Sequence, residues 1–219
     1  MLWLAASPAG AQDRVIGLLT LPEVFSPECA PFTPLPVTIY DQPSGAAAGT
    51  IEAGGPTAAS DGCREVSVRQ GQRRRELPTR EYTYEAPAAV VLEQRNGWFR
   101  IRLSDGSAWI APSPRHKFHD LAMLFKEGES ITATTAGFKS QLRREPNGAA
   151  FGDVLKEYDP LVVKEVRLVD GREWLRVEVL SHSPCDGNIN IEPHAIATGW
   201  LPAHDTAGGP TVWFYSRGC

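Results

Sequence analysis

The chain has 219 residues, 42% of them hydrophobic, and a net charge of −4. That apolar content supports packed cores and excludes a globally disordered chain. The weakly acidic balance argues against a nucleic-acid binder, which needs a basic face. With 20 glycines and 18 prolines, the composition suits short strands joined by many turns and not a helical bundle.

Residues 1–11 form a short apolar run ending in Ala9-Gly10-Ala11 before Gln12. That is a small-x-small cleavage pattern, although no Lys or Arg precedes the run, so residues 1–12 read as the remnant of an export signal. No later segment approaches the ~20 apolar residues of a membrane span. Residues 13–36 are proline-rich but hold Leu18, Leu19, Leu21, Val24, Phe25 and Phe32; linkers lack such anchors, so this is an ordered, extended lead-in.

Residues 37–40 alternate and meet the turn signal Asp41-Gln42-Pro43-Ser44-Gly45; residues 49–51 restart a strand, residues 53–62 read as a loop, and residues 64–69 alternate again. Residues 70–75 read as a polar, basic tip that carries Arg73, Arg74 and Arg75. Residues 81–85 have high β propensity. Residues 89–94 form a strand, Asn96-Gly97 a tight hairpin turn, residues 98–103 the partner strand, and residues 104–107 a second hairpin into 108–111.

Phe118, Leu121, Ala122, Leu124 and Phe125 recur at helical spacing, with Pro112 and Pro114 ahead and Gly128 behind, which predicts a helix over 113–128. Residues 131–138 return to β character. Residues 142–146 with Asn147-Gly148 repeat the earlier strand and turn. Residues 161–168, Asp170-Gly171 and residues 174–180 form another hairpin; an insert over 181–197 follows, then strands over 198–202 and 211–215.

One segment thus occurs twice: Asn96-Gly97-Trp98 leads to Trp109-Ile110, and Asp170-Gly171 with Trp174 leads to Gly199-Trp200-Leu201. An internal repeat decides the architecture first. The residues resemble the bacterial SH3 family of exported and wall-associated proteins. The match lies in a strand with a Pro-containing turn (Tyr40 to Pro43; Arg144 to Asn147), a hairpin into a Trp-led strand, and a closing Trp-apolar pair. It covers roughly residues 35–112 and 138–203, with long insertions in both copies, and Ala108 stands where the family's closing strand usually has Gly. The resemblance implies an all-β fold of two tandem SH3-like β-barrels with a short connecting helix. Its divisions are 1–12 signal remnant, 13–112 module one, 113–137 connecting helix and strand, and 138–219 module two. Fold alone does not fix the ligand.

The cysteines are Cys29, Cys63, Cys185 and Cys219, an even number without a Cys-x-x-Cys pair. Cys29–Cys63 and Cys185–Cys219, one bridge per module, is the parsimonious pairing among the three possible. Bridges imply an oxidising compartment, so the expected location is periplasmic or secreted.

His116 and His119, beside Asp120, would share a face of the predicted helix, but a metal needs a third ligand and none is indicated locally. Cys185 with His182, His194 or His204 lacks any peptidase signature, and a bridged thiol cannot be a nucleophile. No Gly-x-Ser-x-Gly elbow and no nucleotide-binding glycine loop is present. Arg73, Arg74 and Arg75, with Arg64, Arg69 and Arg80 nearby, form the one basic cluster. Trp98, Trp109, Trp174 and Trp200 hold equivalent positions and read as core or groove wall. Tyr40, Tyr82, Tyr84, Tyr158 and Tyr215 suit an exposed aromatic surface.

The expected protein is therefore a non-catalytic monomer without metal or cofactor. It would recognise an envelope protein or peptidoglycan through Tyr40, Tyr82, Tyr84, Tyr158 and Arg73, Arg74 and Arg75. The alternatives are an accessory or regulatory subunit of an envelope enzyme and, third, a small hydrolase.

Overall fold

The computed structural model describes residues 14–26, 33–54, 65–127, 132–186 and 191–214. Cys29, Cys63, Cys219, Tyr215, Arg64 and the signal remnant lie outside the described residues. The fold is all-β, built as two antiparallel sheets with one short helix among the described residues.

The first sheet contains β1 (Gly17–Thr20), β2 (Val37–Tyr40), β3 (Ala47–Ala53), β4 (Val66–Gln70), β5 (Arg73–Glu76), β6 (Thr79–Thr83), β7 (Ala86–Arg95), β8 (Trp98–Leu103), β9 (Gly106–Ile110) and β10 (Lys117–Asp120). Their order is β10-β1-β7-β8-β9-β2-β3-β4-β5, with β6 also paired to β7. Helix α1 (Leu121–Glu127) follows. The second sheet contains β11 (Thr132–Thr134), β12 (Ser140–Arg143), β13 (Ala150–Leu155), β14 (Pro160–Val169), β15 (Arg172–Leu180), β16 (Ala195–Pro202) and β17 (Val212–Phe214). Their order is β13-β12-β16-β15-β14-β11-β17.

Read from its other end, the second path β17-β11-β14-β15-β16-β12-β13 repeats β10-β1-β7-β8-β9-β2-β3 strand for strand, and β4, β5 and β6 are the extra strands of the first unit. The hairpin turns agree as well: Asn96-Gly97 (φ 51° and 81°) and Asp170-Gly171 (φ 50° and 71°) are both left-handed pairs that match strand twist. A register shift falls between Val91 and Glu93 in β7 and between Val163 and Glu165 in β14. Each path is open, with two edges, and not a closed ring.

The repeat is wider than the sequence suggests. The lead-in supplies β1, the counterpart of β11. Residues 117–120, expected to be helical, are β10 and pair with β1, Leu18 opposite His119. The helix starts only at Leu121, where the Asp120 carboxylate accepts the Met123 N–H at 3.2 Å as an N-cap. The basic tip is also corrected: Arg73, Arg74 and Arg75 lie on β5, hydrogen-bonded to β4, because Gly71 at φ 60° turns the chain back before them. The proline turns align Pro43 with Pro146 and positive-φ Ser44 with Asn147, so Tyr40 corresponds to Arg143, one residue before the Arg144 matched by sequence.

One apolar cluster fills the first unit with Leu19, Val37, Ile39, Ile51, Ile101 and Ile110. A second cluster joins Leu18, Val90, Leu121 and Phe125 of the first half to Leu161, Leu175 and Val212 of the second. Strand β7 is an almost unbroken apolar run because both of its faces are covered: Ala89 and Val91 enter the first cluster, Ala88, Val90 and Leu92 the second. The two sheets therefore share a core.

Candidate functional site

Register equates the outward faces of the two units residue by residue. Arg100 lies opposite Trp109 as Arg176 lies opposite Trp200. Arg95 lies opposite Trp98 as Arg167 lies opposite Trp174. The Arg95 guanidinium sits 4.9 Å over the Trp109 ring and Arg167 sits 4.6 Å over Trp200. Tyr40 meets Trp98 edge-on at 5.2 Å, and its counterpart Arg143 sits 6.0 Å over Trp174. Alternation sends Phe99, Ile101 and Leu103 inward and Trp98, Arg100 and Arg102 outward. Trp109, Trp174 and Trp200 are nonetheless buried, since long arginine side chains cover aromatic surface while their charged ends stay wet. These tryptophans are walls and not free platforms.

A cleft of about 450 Å³ opens beside Trp174. Arg143 on β12 donates through Nη1 to the Gly148 carbonyl at 2.6 Å. Arg14, ahead of β1, reaches across to the second unit and donates to the Gly171 carbonyl at 3.1 Å. Arg172, the first residue of β15, is exposed and lines the cleft. Glu173 and Asp205 complete the charged lining. The Asp205 carboxylate accepts the N–H groups of Ala207 and Gly209 at 2.8 and 2.9 Å, which fixes it in its own turn. His204 donates from Nε2 to the Val15 carbonyl at 2.7 Å and ties the two halves at the cleft floor. The Trp174 indole N–H is buried with no acceptor among the described residues.

A second cleft, about 520 Å³, lies in the first unit and is lined by Ser67, Arg74, Arg75, Glu76 and Leu77. Arg74 donates to the Ser67 hydroxyl at 2.7 Å, and Arg75 donates to the Gln70 side chain at 3.1 Å and pairs with Asp105. Two of the three expected arginines thus line a cleft and already have partners; Arg73 is exposed on the edge strand.

Of the expected tyrosines, Tyr40 lies on β2, Tyr82 on β6, Tyr84 just past β6 and Tyr158 between β13 and β14. Tyr40 packs on Trp98, and Tyr82 stacks on His119 at 4.3 Å between ring centres. Tyr84 is 52% exposed. Tyr158 is 59% exposed in a positive-φ turn of the second unit, where its N–H donates to the Thr134 carbonyl at 3.0 Å. Sequence reasoning passed over Arg14, Arg143 and Arg172. The sequence holds a signal for Arg143: aligning Pro43 with Pro146 makes it the equivalent of Tyr40, itself an expected site residue.

His116 and His119 share no helix face, since the first precedes β10 and the second lies within it. Burial holds both below the ordinary histidine range; for His116 it outweighs the carboxylate of Glu23, 3.4 Å away, and for His119 the Lys117 charge adds to it. Among the described residues no group of three His, Cys, Asp or Glu is placed to hold a metal ion. Cys185 is not a free thiol, and its expected partner Cys219 lies outside the described residues. The Ser181 hydroxyl lies 2.9 Å from His182 Nδ1 and 3.3 Å from His194 Nδ1, which closes the base of the insert.

No helix among the described residues is long and apolar enough to cross a membrane. Comparison with protein-family models, curated proteins and solved structures returned no match.

Proposed function

We propose that this chain is a non-catalytic, exported binding protein of two SH3-like modules that recognises peptidoglycan or an envelope protein, acting as a monomer in the periplasm or outside the cell. One observation carries the reading: an Arg-over-Trp stack recurs at equivalent positions of both units, and next to it in the second unit Trp174, cross-strand neighbour of Arg167, lines a cleft with three arginines. Guanidinium groups beside an aromatic wall bind anionic, planar groups; they supply neither a nucleophile nor a general base. Cys29–Cys63 and Cys185–Cys219 bridges would fit an oxidising compartment. The role as an accessory or regulatory subunit of an envelope enzyme is the second reading, favoured by the shared core, which would present the two modules to a partner as one packed unit.

The test is sedimentation of the oxidised protein with isolated cell-wall sacculi at low and moderate salt. Retention at moderate salt supports wall binding. Recovery in the supernatant at both salts removes peptidoglycan as the ligand and leaves the envelope-protein form of the reading.

A further inference from the structure

We infer that the cleft beside Trp174 is a binding site for a carboxylate group carried by the ligand, an assignment that deepens the binding role proposed above. Three arginines line it, Arg14, Arg143 and Arg172. Arg14 and Arg143 each commit one N–H to a backbone carbonyl of the second unit, Gly171 and Gly148. An arginine has five N–H donors in a fixed fork, so both are oriented by those bonds and keep donors to offer. Arg172, exposed, is the third arginine of the lining. The lining carboxylates are Glu173, 3.8 Å from the His204 ring, and Asp205; with the imidazole counted as neutral, three positive against two negative groups leave one net positive charge. That balance fits a monoanion better than a doubly charged phosphate.

Geometry favours the same group. A fork meets a planar carboxylate with two parallel hydrogen bonds, which gives direction as well as strength. Trp174, 4% exposed, forms the apolar wall for the part of the ligand next to the carboxylate. The site spans the seam between the halves: Arg14 precedes the first strand of the first unit, while Arg143 and Arg172 belong to the second. Folding of both units therefore assembles it. In the first unit Tyr40 stands where the second has Arg143, so that unit lacks the counterpart of this arginine.

The Trp174 indole N–H, buried and without an acceptor, is a sensitive reporter. Its cross-peak in a ¹⁵N–¹H spectrum is assigned by its loss in Trp174→Phe. The intact oxidised protein is titrated with N-acetylalanine, with its neutral amide, and with inorganic phosphate, and calorimetry measures the same affinities. N-acetylalanine should shift the cross-peak saturably, the amide should not, and Arg172→Ala should weaken binding about tenfold, near 1.4 kcal/mol. Arg14→Ala should act in the same direction. An equal response to the amide, a response to phosphate alone, or unchanged affinity in both variants would overturn the assignment. Retention on sacculi without a response to N-acetylalanine removes this site and leaves the binding role standing.

Discussion

Leu18 and Leu19 are neighbours on β1 whose side chains enter different cores. Leu18 joins the cluster that contains Leu161, Val163, Leu175 and Val177 of the second unit; Leu19 joins the cluster of the first unit alone. Both are fully buried. Truncating either to alanine removes the transfer free energy of its methyl groups and leaves a cavity, a cost of about 3 kcal/mol, within the usual 2–5. For a chain of this length each kcal/mol lowers Tm by roughly 2–4 °C, so each variant should melt about 6–12 °C lower. The two should differ in where protection is lost. Amide hydrogen exchange of β14 and β15 should quicken in Leu18→Ala and stay near wild type in Leu19→Ala. If Leu18→Ala leaves β14 and β15 exchange untouched while β7 and β8 quicken, the sheets do not share a core.

Acidification gives a second test. His116 and His119 are held below the ordinary value of 6.5, by burial first in each case. The unfolded chain then binds protons that the fold excludes, so stability is full above that value and is lost as pH falls through it. Tm should drop between pH 7.5 and 5, and the His116→Gln/His119→Gln double variant should flatten the drop; a parallel profile would refute the assignment. Gly17→Ala should lower the urea midpoint, because a β-carbon there would lie 2.2 Å from the His119 carbonyl oxygen and 2.6 Å from the Phe118 ring. Its cost is about 1–3 kcal/mol, comparable to core overpacking, and an unchanged midpoint would show that β10 does not press on β1. Arg95→Ala and Arg167→Ala should each cost about 0.5–1 kcal/mol through the lost stacking on tryptophan, read in urea melts. A loss in one unit only would break the equivalence of the two faces.

The sequence carried the hairpins well, because Asn96-Gly97 and Asp170-Gly171 encode left-handed turns in the residues themselves. It carried the fold class and the central meander for the same local reason. The outer strands were hidden. Strand β10 has Phe118 in phase with Leu121 and Phe125, so its spacing imitates a helix; only pairing with β1, a hundred residues earlier, decides it. Arg73, Arg74 and Arg75 look like a solvated tip because an edge strand made of charged residues has no apolar alternation to show. The cleft was less legible still. Arg14, Arg143 and Arg172 lie far apart in the chain and meet where two copies of one motif differ.

The most direct measurement combines ¹⁵N–¹H spectra of the intact oxidised protein with soluble peptidoglycan fragments and mass analysis of the fragments afterwards. Saturable shifts confined to residues around Arg143, Arg172, Trp174 and Asp205 of the cleft are expected, with every fragment recovered at its starting mass. Cleaved fragments would contradict the non-catalytic reading, and spectra unchanged at saturating fragment would contradict wall recognition by this surface.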